Sequence, residues 1–352
     1  MRVLIVKTSA LGDVVQTFPV AAYLRSRPEI KEIGWVVEKK AFPLVSACPF
    51  VDHVIEIDTV HLKSLFPSFH IIREFQRQRS AIRENSWDLL FDLQGNCKSG
   101  MVTFLASAKK KIGYGNRSVA ERPNLLTTSV HINPPRGMRM CEEYLQFVQT
   151  YFQDHEPFAV PPMQLKLTAL QETQLAEERA RWPNHRPVWI LALGSYWPNK
   201  RYPSDKLLSV LELVQRMWSP YFIFLAANSL ELKEAGWLAK HFVDSSHIVF
   251  QQKLSILQRM LGAAHAVVAV DSLILHLAAT TETPIFSIFG PSNSKNYAPK
   301  GSRHGVFQGK CHFFSQEEKR CRELRTCDHG SCLNDVDSLD LFAAIQDWQQ
   351  RI

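Results

Sequence analysis

The stretch around residues 267–276 carries residues that could bind an anion. The apolar run 267–270 stops at Asp271, and Leu and Ala recur at helical spacing over 272–281, which predicts a strand, a tight turn and a helix. Free N–H groups at a helix N-terminus attract anions, so Ser272 and the amides beside it suit a diphosphate. A strand-helix unit capped by Ser272, with no ligand, fits the same pattern. The stretch therefore leaves a structural cap and an anion site open.

A second polar loop follows the apolar run 188–193 and contains Ser195 and Lys200. A lysine in such a loop can balance a diphosphate as a point charge, and a solvated surface lysine is the alternative. His276 alone is typical of a packed helical histidine. Neither it nor Asp271 has a second His or Cys at metal-ligand spacing, so we expect no metal and no cofactor.

A carboxylate stands near the start of the chain. The apolar run 3–6 leads to Gly12, which permits a turn, and Asp13 stands where a helix over 14–25 is predicted to begin. Asp13 is either the N-cap of that helix or a carboxylate at the C-terminal edge of a parallel sheet, where open α/β folds bind ligands. The Gly-x-Gly-x-x-Gly fingerprint of dinucleotide-binding folds is missing from this position.

Apolar runs alternate with helical patterns along the chain, which predicts βαβ units and parallel sheets. The chain has 352 residues, enough for two cores, and the Pro-rich segment 154–162 interrupts the alternation. We expect an α/β fold with two doubly wound domains, 1–160 and 161–335, and a terminal amphipathic helix in 336–352 that packs back on the first domain. The predicted strands are 3–6, 33–37, 54–57, 89–93, 188–193, 221–226, 248–250, 267–270 and 285–289. The predicted helices are 14–25, 138–152, 203–218, 230–242, 254–262, 272–281 and 338–351.

The formal net charge of +7 indicates anionic partners. Nucleic acid, an anionic membrane face and a phosphorylated substrate all fit this balance, and the sequence has no recognisable nucleic-acid-binding module. The N-terminus lacks the apolar region of a signal peptide, and no run approaches the roughly 18 apolar residues of a membrane span. We therefore expect a cytosolic protein.

Four of the seven cysteines cluster near the end of the chain. They are separated by nine, five and four residues, which are not the Cys-x-x-Cys spacings of common zinc sites. The spacing favours a loop of free thiols over a metal site. These cysteines are Cys311, Cys321, Cys327 and Cys332.

Two α/β domains joined by a linker form a cleft, and the loops after their strands are expected to face it. From the first domain we expect Asp13, Lys98, Arg117 and Glu121 in this cleft. From the second domain we expect Ser195, Lys200, Asp271, Ser272 and His276.

Four separated motifs resemble the lipopolysaccharide heptosyltransferases of glycosyltransferase family 9. They are Lys7-Thr-Ser-Ala-Leu-Gly-Asp-Val-Val-Gln-Thr-Phe-Pro19, Asp92-Leu-Gln-Gly-Asn-Cys-Lys-Ser99, Ser195 with Lys200, and 271–276 with Phe289-Gly-Pro291. They occur in the family's order and span nearly the whole chain. The opening Lys-Thr-Ser before Leu-Gly-Asp is closer to the heptosyltransferase I pattern than to that of heptosyltransferase II.

The resemblance implies a GT-B fold, in which two Rossmann-like domains face a central cleft. It implies an inverting transfer without a metal, from ADP-L-glycero-D-manno-heptose, held mainly by the C-terminal domain, to the Kdo-lipid A inner core. Such an enzyme is cytoplasmic and peripheral on the inner face of the bacterial inner membrane. Other nucleotide sugars or acceptors, as in heptosyltransferase II, and a non-catalytic nucleotide-sugar-binding protein are the alternatives.

Carried onto matching positions, the resemblance makes Asp13 the general base on the acceptor hydroxyl. Glu231 resembles the residue that binds the adenosine ribose, and Leu254 would lie near the base. Leu273 departs from the family, which has a small residue at this position, where backbone approaches phosphate closely. The full set of expected donor-binding residues is Ser195, Lys200, Glu231, Leu254, Asp271, Ser272, Leu273, Ile274 and His276. The expected acceptor-binding residues are Lys7, Lys98, Arg117, Glu121 and Arg122.

Overall fold

A computed structural model describes residues 1–58, 85–135, 137–311 and 318–352, together with residues 77, 80 and 82. The chain divides into two compact units, Met1–Pro161 and Pro162–Ile352, one residue beyond the predicted boundary of 160. Each unit contains one parallel six-stranded sheet.

The first unit alternates strands and helices from its first residues. Its strands are β1 (Arg2–Val6), β2 (Glu32–Glu38), β3 (His53–Ile57), β4 (Ser86–Asp92), β5 (Ser107–Tyr114) and β6 (Val130–Ile132). Its described helices are α1 (Leu11–Val15), α2 (Phe18–Ser26), α3 (Phe42–Ser46), α4 (Cys97–Leu105) and α5 (Met140–Tyr151), with a 3₁₀ segment at Arg122–Thr127.

The strand order of the first sheet is β3-β2-β1-β4-β5-β6. The chain builds outward from β1 to one side and then returns to build outward from β4, so the order reverses between these two central strands. β1 is buried from Val3 onward because helices cover both faces of a parallel sheet. In the register, Val6 lies opposite Asp92, so the two loops that leave β1 and β4 start side by side. Open α/β sheets bind ligands at this kind of switch point.

The second unit shows the same alternation of strands and helices. Its strands are β7 (Val188–Ala192), β8 (Tyr221–Ala226), β9 (Ser246–Phe250), β10 (Ala266–Val270), β11 (Ile285–Phe289) and β12 (Gly305–Gln308). Its described helices are α6 (Ala169–Arg179), α7 (Ser204–Trp218), α8 (Ser229–Ala239), α9 (Leu254–Ala263), α10 (Leu273–Ala278), α11 (Ser294–Tyr297), α12 (Ser331–Asn334) and α13 (Ser338–Gln349). Its described 3₁₀ segments are Pro198–Lys200, Val243–Ser245 and Arg322–Arg325.

The second sheet has the order β12-β11-β10-β7-β8-β9, so its switch point lies between β7 and β10. Ala192 and Ala269 are paired near the ends of these strands, which brings the loop after β7 beside the turn after β10. The two sheets confirm the prediction of two doubly wound α/β domains.

The terminal helix α13 packs on the sheet of the second unit. Its buried residues are Leu341, Ile345 and Trp348, and the Trp348 ring lies 5.9 Å from that of Trp189 and 5.4 Å from that of Phe286. Gly305 of β12 leaves room for Trp348, because a Cβ there would lie 2.7 Å from the ring. The buried apolar face of the helix thus packs inside the second unit.

The helix predicted over 14–25 is two helices. α1 ends at Val15 and α2 begins at Phe18, with Pro19 in its first turn. Proline has no N–H to donate to the preceding turn and tolerates only the start of a helix, so one continuous helix is interrupted here. The N-cap of α1 is Ala10, and Asp13 lies in the first turn, so the alternative that Asp13 is the N-cap is wrong.

Candidate active site

The loop after β7 is folded back on itself by Arg201. The Nε of Arg201 donates to the carbonyl oxygen of Ser195 at 2.8 Å, and its Nη1 lies 3.7 Å from Glu234 on α8. Ser195 is buried, and its hydroxyl accepts a 3.4 Å hydrogen bond from the N–H of Trp197. The hydroxyl proton of Ser195 therefore remains available to a ligand. Lys200 closes the short Pro198–Lys200 turn of the same loop.

Lys200 and Asp271 form a buried ion pair across the switch point of the second sheet. The Lys200 Nζ donates to Asp271 Oδ2 at 2.6 Å, and the side chains are 15% and 8% exposed. His276 Nε2 lies 3.8 Å from the other carboxylate oxygen. Burial disfavours the ionised carboxylate, but Lys200, His276 and a hydrogen bond from Ser292 outweigh it and hold the pKa of Asp271 below its ordinary value. Asp271 is therefore an ionised anchor for Lys200.

The turn after β10 leaves one polar atom unsatisfied. Ser272 is the N-cap of α10, yet its side chain makes no capping hydrogen bond, and its buried Oγ has no partner among the described residues. A buried hydroxyl without a partner is costly, and a bound ligand oxygen satisfies it. Leu273 and Ile274, which open the helix, are half-buried. Ser272 thus occupies the N-cap position of α10 without a capping hydrogen bond from its side chain.

Glu231 lies against the loop after β7. It is in the first turn of α8, and its Oε2 accepts the N–H of Ala227 at 2.8 Å. A Cβ on Gly194 would lie 2.4 Å from the Glu231 Cδ, so the glycine permits this close approach. A cavity of about 290 Å³ lies beside the pair and is lined by Gly194, Glu231 and Arg201, among others. Leu254, by contrast, is the half-buried first residue of α9 and does not line this cavity.

Asp13 is a half-buried carboxylate in the first turn of α1, just beyond the end of β1. Thr17 Oγ1 donates to its main-chain carbonyl at 2.8 Å, which fixes the backbone of the turn. Within the described ranges, no hydrogen bond or ion pair engages its side-chain oxygens. A carboxylate that is held by its backbone and free at its oxygens can accept a proton from a ligand.

Lys7 is buried and does not reach the surface of the first unit. It is 3% exposed, and its Nζ donates to the Leu93 carbonyl at 3.2 Å and to the Tyr144 hydroxyl at 2.8 Å. The ammonium also lies 4.5 Å from the centre of the Tyr144 ring. Because this ammonium is buried and hydrogen-bonded inside the unit, the structure does not support the expectation that Lys7 binds the acceptor.

Asp92 organises the loop that leaves β4. It is fully buried, and its Oδ1 accepts the N–H groups of Gln94 and Gly95, each at 3.0 Å. Its Oδ2 accepts from Asn124 at 2.7 Å and from Thr103 at 3.2 Å. Four hydrogen bonds on one carboxylate lock the strand-end loop in a single conformation.

The predicted acceptor residues of the first unit differ in how they are used. Glu121 Oε2 accepts the first N–H of α4, from Cys97, at 2.7 Å, so it caps that helix and its pKa is lowered by hydrogen bonds from Cys97. Lys98 is partly exposed, with its Nζ 3.4 Å from Glu38. Arg117 and Arg122 are exposed. The two arginines and Lys98 are thus accessible on the first unit, whereas Glu121 has a structural task.

The four clustered cysteines line one cavity of about 350 Å³ beside Asn199 and Pro291. Burial and the neighbouring thiols Cys311 and Cys327 raise the pKa of Cys332 to about 12, so this group stays a neutral thiol. Across the part of the chain that the structure describes, no three His, Cys, Asp or Glu side chains are grouped as metal ligands.

Several residues of these sites were not assigned from the sequence. Ser292 hydrogen-bonds Asp271, and Asn199 Nδ2 donates to the Leu324 carbonyl at 2.8 Å, which ties the Lys200 turn to the cysteine-containing segment. Asp92 begins one of the four motifs, but the sequence did not indicate that its carboxylate accepts four hydrogen bonds. Tyr144 gave no signal, because its partner Lys7 is 137 positions away.

The sequence is similar to a known protein family over most of its length. Residues 75–326 match the family model of glycosyltransferase family 9 (heptosyltransferase). Lipopolysaccharide heptosyltransferase 1 of Pseudomonas aeruginosa is 28% identical over 297 residues, covering 83% of this chain and 79% of that protein. Lipooligosaccharide heptosyltransferase 2 of Haemophilus ducreyi is 22% identical over 316 residues, covering 87% of this chain and 88% of that protein.

Solved structures share the architecture over the full length. The E. coli heptosyltransferase WaaC with ADP superposes with a TM-score of 0.77 at 21% identity, covering 99% of this chain and 100% of that one. A glycosyl transferase family 9 protein from Veillonella parvula gives a TM-score of 0.80 at 16% identity, covering 100% of this chain and 98% of that one. At these identities the likeness concerns the fold, and it confirms the GT-B fold that the four motifs implied. None of the helices in the described ranges is long and apolar enough to cross a bilayer.

Proposed function

Because the chain belongs to glycosyltransferase family 9 (heptosyltransferase) and is therefore a glycosyltransferase, we propose that it transfers heptose from ADP-L-glycero-D-manno-heptose to the Kdo-lipid A inner core of lipopolysaccharide. The relatives named heptosyltransferase 1 support the sugar and the acceptor. A structure of E. coli WaaC with ADP-2-deoxy-2-fluoro heptose supports the ADP-linked donor. The single observation that carries the proposal in this chain is the Lys200–Asp271 pair next to the unpartnered hydroxyl of Ser272.

The second unit binds the donor. The departing diphosphate gains negative charge as the glycosidic bond breaks, and a fixed cation stabilises that charge without reorganisation. Lys200 is fixed by Asp271, and an ammonium has three protons, so two remain for phosphate oxygens after one is given to the carboxylate. The hydroxyls of Ser195 and Ser272 and the first amides of α10 complete the phosphate site.

The nucleoside lies toward Glu231. A carboxylate accepts hydrogen bonds from ribose hydroxyls, and one Glu231 oxygen already holds the Ala227 N–H, which orients the other. Leu254, at the start of α9 and outside the cavity beside Glu231, is proposed to contact the base where it extends beyond that cavity. Leu273 opens α10 with a larger side chain than the family's small residue, so we propose that it points away from the phosphate and leaves only its amide to the donor.

Asp13 of the first unit acts as the general base. A sugar hydroxyl is a poor nucleophile, so a carboxylate must accept its proton as the new bond forms. Attack on the face opposite the leaving diphosphate inverts the anomeric carbon through an oxocarbenium-like transition state. The positive charge of Lys200 takes the role that a divalent metal has in other sugar transferases, so the reaction is metal-independent.

The acceptor is anionic and lipid-linked, which fits the net charge of +7. Lys98, Arg117 and Arg122 are accessible cations of the first unit, and we propose that they meet its carboxylates and phosphates. Access to a lipid-linked acceptor also implies that the protein works from the cytoplasm as a peripheral protein on the inner membrane.

A donor and acceptor screen tests this function. Purified protein is incubated with ADP-heptose or UDP-sugars, with or without Kdo-lipid A, and nucleotide release is measured. We expect ADP release only when ADP-heptose and Kdo-lipid A are both present. Kdo-lipid A that already carries one heptose is included, because relatives named heptosyltransferase 2 also match over most of the chain. Transfer only to that acceptor, or only from a UDP-sugar, would show that the proposed substrates are wrong.

A further inference from the structure

The 3₁₀ turn that carries Lys200 is only three residues long. This turn, Pro198–Lys200, is closed by the Lys200 N–H, which donates to the Trp197 carbonyl at 3.0 Å. A lysine side chain has a flexible four-carbon stem, so the position of its ammonium depends on how both ends of the side chain are held. Asp271 holds the ammonium end at 2.6 Å. The backbone end is held by the contacts of the turn.

Asn199, in the middle of this turn, is buried and ties the turn to a distant part of the chain. It is 9% exposed, and its Nδ2 donates at 2.8 Å to the carbonyl of Leu324, which lies 125 positions away. Its Oδ1 is also buried and has no hydrogen-bond partner among the described residues. Only the NH₂ group of the amide can donate to a carbonyl, so the bond to Leu324 sets the orientation of this side chain.

The segment 318–325, which contains Leu324, also holds the residue that bonds Asp271. Ser292 is 2% exposed, its side chain hydrogen-bonds Asp271, and it pairs with Arg320 in an isolated antiparallel bridge. Main-chain hydrogen bonds of 3.0 and 2.7 Å close this bridge on its two sides. The same segment therefore contacts both partners of the ion pair, Asp271 through Ser292 and the Lys200 turn through Leu324.

We propose that Asn199 is a positioning residue for the donor diphosphate: its hydrogen bond to Leu324 fixes the Pro198–Lys200 turn, so that the Lys200 ammonium meets the phosphate oxygens in one place. This inference rests on the proposed role of Lys200 at the diphosphate. Asn199 acts through Lys200 and needs no contact of its own with the donor. A supporting residue has this influence because a displacement of about 1 Å is enough to weaken a charged contact that depends on geometry.

The variant Asn199→Leu removes the hydrogen bond and keeps much of the side-chain volume. We expect ADP to bind about threefold more weakly or worse, measured by titration calorimetry, because the turn that carries the ammonium has lost its anchor. In steady-state kinetics the donor KM should rise by a similar factor, while the acceptor KM stays within about twofold of the wild-type value.

A double variant separates positioning from a general structural role. If Asn199 acts through Lys200, Asn199→Leu should change ADP affinity by less than about twofold in a protein that already carries Lys200→Met. A residue that only stabilises the fold would weaken ADP binding by the same factor in both backgrounds.

The matched control is Thr283→Val. It removes another buried hydrogen bond to a main-chain carbonyl, from Thr283 Oγ1 to Leu261 at 2.7 Å. Thr283 lies just before β11, at the edge of the parallel sheet opposite to the strand ends that carry the donor site. This variant should therefore leave ADP affinity unchanged.

A folded Asn199→Leu protein with wild-type ADP affinity overturns the proposal, and so does an equal loss of affinity with and without Lys200→Met. If circular dichroism shows that Asn199→Leu does not fold, Asn199→Ala takes its place, because the smaller side chain cannot clash, and the same two outcomes apply. Lys200→Met is measured in parallel. Unchanged ADP affinity in Lys200→Met shows that the proposed phosphate role is wrong, whereas weaker binding there with unchanged binding in Asn199→Leu refutes only the role of Asn199.

Discussion

Replacing Lys200 by Met tests the ion pair on which the donor site depends. The Lys200 and Asp271 side chains are only 15% and 8% exposed, and the Lys200 Nζ lies 2.6 Å from Asp271 Oδ2. Removing one partner of a buried pair costs about 3–5 kcal/mol, because the other charge stays buried without its counterion. His276 remains 3.8 Å from the second oxygen of Asp271 and compensates in part. We therefore expect the lower end of that range, about 3 kcal/mol.

This loss should be visible in thermal unfolding measured by calorimetry. For a unit of the size of Pro162–Ile352, 1 kcal/mol corresponds to about 2–4 °C, so the Tm of Lys200→Met should drop by about 6–12 °C. Adding Asp271→Asn removes the stranded charge, so the double variant should be more stable than Lys200→Met alone. Lys233→Met, at an exposed position of α8, is the control and should shift the Tm little.

The stability contributed by the Lys200–Asp271 pair should depend on pH in a predictable direction. Burial works against ionisation of Asp271, but the charges of Lys200 and His276 and hydrogen bonds from Lys200 and Ser292 hold its pKa below the ordinary value. The pair therefore stabilises the folded state above the unfolded pKa, and this contribution is lost as pH falls through the folded pKa. The stability difference between wild type and Lys200→Met should shrink on acidification.

The same variant reports on function through ADP affinity, measured by titration calorimetry. We expect binding about tenfold weaker or more, since a charge-assisted contact to phosphate is lost. A Tm drop below about 2 °C, or a double variant no more stable than Lys200→Met, would refute the stabilising role of the ion pair. Unchanged ADP affinity would refute the contact between Lys200 and phosphate.

Three further predictions follow from the sites. Asp13→Ala should lower transfer by about 10²–10⁴-fold while ADP binding is kept, measured as released ADP and by calorimetry, and undiminished transfer would exclude the base assignment. Activity should survive dialysis against EDTA, and restoration of a lost activity by a divalent metal would contradict the proposed mechanism. Gly194→Ala should lower the free energy of unfolding by about 1–3 kcal/mol and weaken ADP binding, because its Cβ would lie 2.4 Å from the Glu231 Cδ. Gly236→Ala is the control: its Cβ would have no neighbour within 4 Å, so ADP binding should be unchanged.

Strands buried in the sheet centres were predictable from the sequence because their apolar runs are uninterrupted. Tyr221–Ala226 and Ile285–Phe289 were predicted with the observed bounds. The edge strand Val130–Ile132, its neighbour Ser107–Tyr114 and the edge strand Gly305–Gln308 were missed. Ser107–Tyr114 contains three consecutive lysines, two of them exposed, and such a strand lacks the apolar pattern that identifies a buried one.

The candidate sites were predictable where the residues follow a strand directly. Lys200 and Asp271 were both expected at a diphosphate, but their ion pair joins positions 71 residues apart, and no local pattern reports it. The burial of Lys7 depends on Tyr144, which the sequence places in an unrelated helix. Sequence periodicity indicates which elements form, whereas the partners of a polar side chain depend on how distant elements pack.

The packing of Trp348 against Trp189 has a consequence for synthesis of the chain on the ribosome. The first unit ends at Pro161, so all of its strands have been made before the second sheet begins. In the second unit, the central strand β7 carries Trp189, which Trp218 stacks on and which Trp348 of the last described helix contacts edge-on. Because domains fold as units during translation, we expect the packing of Trp189 to be completed only after residue 348 has left the ribosome.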